Sequence, residues 1–120
     1  GHAWFGGGAP DPLPLLKKHI QRVVHVHCKD VRPQVVATAR NDAWSFLNAV
    51  INGTFTVPGD GAIDFDAVLQ TLHGAGYQGW LVVEAEQDPA VAPSHAYAKK
   101  GYDTLKRIVD RLDTPQRKAA

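Results

Sequence analysis

The run Val23-Val24-His25-Val26-His27-Cys28-Lys29-Asp30-Val31-Arg32 limits what this chain can fold into more than any other stretch. It is β-branched and apolar, admits two histidines, and ends with three charged residues in four positions, the pattern of a buried strand whose end opens into a site. Side chains alternate along a strand, so Val23, His25 and His27 are expected on one face and Val24, Val26 and Cys28 on the other. The second face is apolar throughout. The first turns polar toward its carboxyl end. Parallel sheets collect ligands at the carboxyl ends of their strands, which places His27, Lys29, Asp30 and Arg32 for chemistry. For His25, a hydrogen-bonded core histidine is the simpler reading.

The rest of the chain supplies what such a strand needs around it. Residues 1–9 read as a glycine-rich, flexible active-site loop; Gly6-Gly7-Gly8 lacks the spacing of a nucleotide-binding loop. Asp11 is expected to cap a helix that starts at Pro12, runs to about Gln21, and buries Leu13, Leu16 and Ile20. Pro33 opens the next helical stretch, where Val36, Ala39, Trp44, Leu47, Val50 and Ile51 recur at helical spacing. An interruption is expected near Asn41-Asp42 and a stop at Gly53. Thr54 to Gly61 is rich in turn formers and reads as a loop. Asp64 can cap a helix whose Phe65, Val68, Leu69 and Leu72 form one apolar stripe, closed by Gly74-Ala75-Gly76. Gly79 to Glu86 reads as a second strand with Trp80, Val82, Glu84 and Glu86 on one face. Ser94 is expected to cap a last helix carrying Tyr97, Leu105, Ile108, Val109 and Leu112, with residues 114–120 as a disordered tail.

Helices alternating with strands imply parallel strands joined by crossover helices. Two strands cannot bury a sheet on both faces. The expected architecture is therefore α/β, with residues 1–113 forming the C-terminal portion of a (β/α)8 TIM barrel of roughly 250 residues or more. A start in mid-motif at Gly1, with no methionine anywhere, fits part of a longer polypeptide.

Thirteen basic and twelve acidic side chains leave a net charge of +1, and no basic cluster interleaved with aromatics precedes the tail, so nucleic acid is not an expected partner. No apolar run approaches membrane-spanning length, so a membrane is not expected either. The single cysteine excludes an internal disulfide and suits the cytoplasm, the expected location.

His27 and Glu84 lie near equivalent ends of the two strands and make a mixed nitrogen and oxygen donor pair, suited to Mn, Co, Zn or Fe. A carboxylate at the end of an apolar strand must be paired, protonated or metal-bound. Glu86, two residues further out, reads as a rim or substrate contact. The His-x-His pair does not extend to an amidohydrolase site, because only His73 and His95 follow it, both on or near helices.

His25-Val-His-Cys-Lys-Asp-Val-Arg32, Trp44-Ser-Phe-Leu47, Phe55-Thr-Val-Pro-Gly-Asp-Gly61 with Ile63-Asp64, and Gly79-Trp-Leu-Val-Val-Glu-Ala-Glu-Gln-Asp-Pro89 together resemble the carboxyl-terminal part of the inosose dehydratases. These belong to the xylose isomerase-like barrel superfamily. The resemblance implies a metal-dependent lyase of myo-inositol catabolism that removes water from 2-keto-myo-inositol, a keto-cyclitol, to give a trihydroxycyclohexanedione. It implies His27 and Glu84 as ligands of Mn or Co, and it brings in glutathione as a further cofactor. His2 resembles the histidine of an Asp-x-x-His element whose aspartate, a third ligand, would fall just before Gly1; a fourth ligand would come from an earlier strand. Catalytic roles fall on His2, Lys29 and Glu84, and substrate contacts on His2, Lys29, Asp30, Arg32 and Glu86. Pro58-Gly-Asp-Gly61 resembles the superfamily's Gly-Glu-Gly loop, with aspartate in place of glutamate.

A sugar isomerase or epimerase of the same superfamily is the runner-up, since it shares these ligands. The abasic-site endonucleases fit less well, because Gly53 to Pro58 contains no histidine. With two ligands absent, the 120-residue chain alone is expected to be inactive, its partners being the N-terminal barrel portion and further copies in a homo-oligomer.

Overall fold

The structure is a computed structural model, and it describes residues 1–7 and 11–114. In chain order the elements are α1 (His2–Gly7), α2 (Leu13–His19) with a 3-10 turn at Ile20–Arg22, β1 (Val26–Cys28) and β2 (Asp30–Val31). There follow α3 (Pro33–Asn41), α4 (Phe46–Ile51), β3 (Phe55–Thr56), α5 (Phe65–Gly74), β4 (Leu81–Val83) and α6 (Ser94–Asp113). No helix among the described residues is long and apolar enough to cross a membrane.

The two expected strands pair in parallel, β1 beside β4, in the register Val26 to Leu81, His27 to Val82 and Cys28 to Val83. Alternation then puts Val26, Cys28, Leu81 and Val83 on the face that packs against the helices. The stripe on α5 closes that core as expected: Leu69 and Leu72 are each 2% exposed and meet Leu105 and Ile108 of α6 and Cys28 of β1. Truncating either leucine to alanine would cost about 2–5 kcal/mol. Asp64 starts α5 by accepting the Ala67 amide at 2.9 Å, and Asp11 accepts the Leu13 amide at 2.8 Å ahead of α2. Leu13, Leu16 and Ile20 pack against the same core.

Several elements depart from the expectations. Both strands are shorter than their apolar runs, because β1 begins only at Val26. Upstream of it the alternation fails: Val24 is 81% exposed while Val23 packs on the core. Residues 54–61 are not wholly loop. Phe55–Thr56 pairs antiparallel with Asp30–Val31, so the chain leaves the parallel sheet after Cys28 and enters a second, two-stranded one. Residues 1–7 are not an open loop: α1 forms because Trp4 and Phe5 pack against Val31, Val36 and Phe55, which outweighs the low helix propensity of glycine. Arg40 donates to the Trp4 and Phe5 carbonyls at 3.1 Å each, satisfying acceptors a short helix leaves open. The rest of the expected glycine loop, residues 8 and 9, lies outside the described residues.

The interruption expected near Asn41-Asp42 is present: α3 ends at Asn41, Ala43 stands at φ 51°, and Ser45 accepts the Asn48 amide at 3.2 Å to start α4. The break rotates the expected stripe, so Val36 and Ala39 are buried while Leu47 and Ile51 stay 63% and 50% exposed. Gly53 does end α4 in the left-handed region, at φ 80°. Pro93, not Ser94, precedes the first turn of α6, and no side chain caps it. The expected tail begins beyond that helix; residues 115–120 lie outside the described residues.

Candidate active site

The parallel register decides where the chemistry-bearing side chains meet. His27 faces Val82 across the ladder, and one further rung, Glu84 N to Cys28 O at 3.2 Å, continues the pairing past the end of β4. Glu84 therefore projects on the same face as Val82, next to His27. Their side chains meet at 2.9 Å, His27 Nδ1 to Glu84 Oε2, at the carboxyl ends of both strands. The imidazole is 54% exposed and the carboxylate 30%, so both remain open to a ligand.

Lys29 ties this pair to a second carboxylate. Its side chain is 3% exposed, and its ammonium lies 2.9 Å from Glu84 Oε1 and 2.7 Å from Glu86 Oε2, over the Phe55 ring. His2 Nε2 is 2.9 Å from Glu86 Oε2 and 3.2 Å from Lys29 Nζ; a single ring nitrogen serves one of these at a time, and its tautomer decides which. The edge of the Phe55 ring steadies the imidazole, with centroids 4.8 Å apart at 80°. Burial pushes the Glu84 carboxyl up, but the hydrogen bond and charge of Lys29, with His27, hold it below the usual glutamate range. For Glu86 the Lys29 hydrogen bond dominates, and the net shift is again downward. Both carboxylates are thus kept ionised near neutrality.

A cleft of about 370 Å³ adjoins the cluster, with His2, His27, Lys29 and Glu84 at its polar end and Leu16, Phe65 and Val68 in its apolar wall. His25 stands edge-on to His27 on the exposed face, with ring centroids 5.2 Å apart.

Two residues expected among the substrate contacts are turned elsewhere. Asp30 is 0% exposed and accepts from the amides of Val31, Gly59, Gly61 and Ile63 at 2.8, 3.3, 3.1 and 2.9 Å. It anchors the Pro58–Gly61 loop. A Cβ on Gly61 would overlap Asp30 Oδ1 and the Val31 carbonyl, so only glycine admits this approach. Arg32 donates to the Gly53 carbonyl at 2.8 Å, Thr56 Oγ1 at 3.1 Å and Asp60 Oδ2 at 2.6 Å. The switch of the chain from β1 into β2 is the cause: it swings Asp30 and Arg32 onto β3 and its loop, leaving Lys29 alone of the three with the site.

His27 and Glu84 are the donors able to hold a metal. An imidazole nitrogen and a carboxylate oxygen converge at one rim, a donor set that suits a borderline divalent ion. They fit such an ion as part of its shell, since no three His, Cys, Asp or Glu gather to hold one among the described residues. Sequence reasoning missed Phe55, whose ring lies under the Lys29 ammonium and against His2. The alternating Thr54-Phe55-Thr56-Val57 was the available signal, a strand pattern set before a Pro-Gly turn.

A model of the family described as xylose isomerase-like TIM barrel matches residues 1–108. The rhizopine catabolism protein MocC of Rhizobium meliloti is 54% identical over 108 residues, 90% of this chain and 33% of that protein. An inosose dehydratase of Klebsiella pneumoniae (strain 342) is 56% identical over 101 residues, 83% of this chain and 34% of its own length. The inosose dehydratase of Clostridium botulinum is 47% identical over 106 residues, 88% and 35% respectively. The chain spans about a third of the length of the curated relatives it matches. Parallel strands with helices packed on one face, the meeting of functional groups at the strands' carboxyl ends, and this match over most of its length agree: the chain belongs to the xylose isomerase-like TIM barrel family.

Proposed function

We propose that this chain forms the metal-binding and proton-handling edge of a cytoplasmic hydro-lyase that dehydrates a keto-cyclitol, 2-keto-myo-inositol. The meeting of His27 Nδ1 and Glu84 Oε2 at 2.9 Å supports this reading most directly, because it joins a nitrogen and an oxygen donor across two barrel strands. A divalent cation, Mn or Co, bound there would polarise the substrate ketone and favour loss of the proton on the adjacent carbon. Lys29 holds Oε1 of Glu84, while Oε2 is the oxygen that stands beside His27 Nδ1. His2, oriented by Glu86, is the proton carrier, an imidazole whose ring nitrogens can donate or accept a hydrogen bond at the substrate. The Lys29 ammonium is the positive charge that a leaving hydroxyl or a negatively charged oxygen would meet. Substrate contacts fall to His2, Lys29 and Glu86, and glutathione is proposed as a cofactor of the whole barrel only.

The test is a chimeric barrel in which this sequence replaces the matching third of the Klebsiella inosose dehydratase. With Mn supplied, it is expected to dehydrate 2-keto-myo-inositol and to leave ketohexoses unchanged. His27→Ala and Glu84→Gln should each abolish turnover. A chimera that folds by circular dichroism and binds Mn, yet isomerises ketohexoses or leaves the keto-cyclitol untouched, refutes the assignment.

A further inference from the structure

The ladder between β1 and β4 ends at the Glu84 amide, yet Glu84 and Glu86 on the irregular segment beyond it occupy defined positions. On the site side, Lys29 holds both carboxylates. On the opposite side the segment is tied, among the described residues, through Gln87, whose Nε2 donates to Thr56 Oγ1 at 3.2 Å. Thr56 is 0% exposed, and its hydroxyl also accepts from Arg32 Nη2 at 3.1 Å and donates to Asp60 Oδ2 at 2.7 Å. One donor and two acceptor positions are thereby all used, so this hydroxyl is a fixed point. Asp60 is itself gripped by Arg32 and by Lys100 of α6. Past Gln87, Asp88 closes a turn, its carboxylate accepting the Ala90 amide at 2.9 Å and its carbonyl the Ala92 amide at 2.8 Å.

We propose that Gln87 is a positioning residue: by donating to the buried Thr56 hydroxyl it sets where Glu84 and Glu86 stand relative to His27 and Lys29. The carboxylates lie one and three residues before it, Glu84 at the last rung of the ladder and Glu86 beyond it. Without the tether the segment past the Glu84 amide is held, among the described residues, by Lys29, His27 and His2 on the site side and by the Asp88 turn, and the placement of Glu84 as half of a donor pair is loosened. The metal arm of this inference rests on the reading of His27 and Glu84 as ligands; the tether itself does not.

The experiment uses the same chimeric barrel with Gln87→Leu, Thr56→Val, Thr56→Ser and the Gln87→Leu/Thr56→Val double variant. Amide hydrogen exchange in the absence of metal should quicken across Glu84–Asp88 in Gln87→Leu and Thr56→Val while α5 keeps its protection. Calorimetric titration should show Mn binding weakened about ten-fold in each, the lower end of what loss of an outer hydrogen bond costs. Raising Mn should restore their turnover, which a folding defect would not allow, and Thr56→Ser should behave as the parent. The double variant should be no weaker than Thr56→Val alone, because the Gln87 bond is already lost in that variant. Unchanged exchange and Mn affinity in Gln87→Leu, or additive losses in the double variant, would overturn the proposal; should Thr56→Val fail to fold, Gln87→Leu decides by itself. A chimera without dehydratase activity would overturn the proposed reaction, while the exchange and Mn measurements would still judge the tether.

Discussion

Replacing Asp30 by asparagine separates a residue that holds the fold from one that touches substrate. The two carboxylate oxygens divide the work: Oδ1 takes the Val31 and Ile63 amides at 2.8 and 2.9 Å, and Oδ2 takes those of Gly59 and Gly61 at 3.3 and 3.1 Å. An asparagine keeps one oxygen. Turned to serve Val31 and Ile63, it points its NH2 at two N–H donors in a site from which water is excluded, Asp30 being 0% exposed. Two hydrogen bonds to an acidic acceptor, at about 1.5–3 kcal/mol each, are lost, and the 3.3 Å bond belongs at the weak end. The sum is about 3–5 kcal/mol, a large share of the roughly 5–15 kcal/mol that stabilises a domain. At about 4 °C per kcal/mol for a chain of this size, the melting temperature should fall by at least about 10 °C. Urea denaturation of the 120-residue chain, followed by the fluorescence of its three tryptophans, reads the change directly as a shift in midpoint. An Asp30→Asn chain with an unmoved midpoint would refute the anchoring role and return Asp30 to the rim, where the strand pattern first places it.

Two further outcomes test the burial and the charges that surround the site. Burial pushes the Cys28 thiol up to about 12, and the side chain is 1% exposed, so native protein should resist iodoacetamide at pH 8 and become labelled only on unfolding. Rapid labelling of the folded chain would mean that the face of β1 against α5 and α6 is open. Burial raises the Asp60 carboxyl, but bonds from Lys100, Thr56 and Arg32 more than offset it and hold the group below the ordinary aspartate range. A lowered folded value means that this contribution is fully present above the unfolded pKa of about 3.9 and is lost as pH falls through the folded value. Asp60→Asn should accordingly be less stable than the parent at pH 7, with the gap closing below about pH 4; a gap that persists at pH 2 would show that ionisation of Asp60 is not its source.

Most of the helical layer was legible from local signals. The α5 stripe with its aspartate cap, the proline-led start of α3 and the glycine stop after α4 are each fixed within a few residues of sequence, and each formed where expected. The pairing of His27 with Glu84 needed only that two apolar runs lie parallel and in register. What escaped was set by contacts distant along the chain. Nothing near residue 5 says that Phe5 packs on Phe55, and without that contact a hexapeptide with two glycines has little reason to be helical. Leu47 and Ile51 were misplaced for a related reason: one left-handed residue, Ala43, changes the phase of every position after it.

Lys29, Asp30 and Arg32 mark the point where reading by pattern gives out. Charges clustered after an apolar strand suggest a solvated rim, yet Lys29 and Asp30 are 3% and 0% exposed. Burying such ionic groups is tolerable only if each has a partner in place, and those partners come from segments 24 to 57 residues away: Glu84 and Glu86 for Lys29, the Gly59 to Ile63 amides for Asp30, Thr56 and Asp60 for Arg32. The three neighbours in sequence thus diverge, one to the site and two to the framework behind it. Arg32 and Gln87 converge again on the Thr56 hydroxyl, so the framework and the carboxylate-bearing segment share one buried atom. A substitution behind the site can therefore reach Glu84 without touching it, and activity lost in such a variant is evidence of a contact with substrate only when the Thr56 junction is shown to be intact.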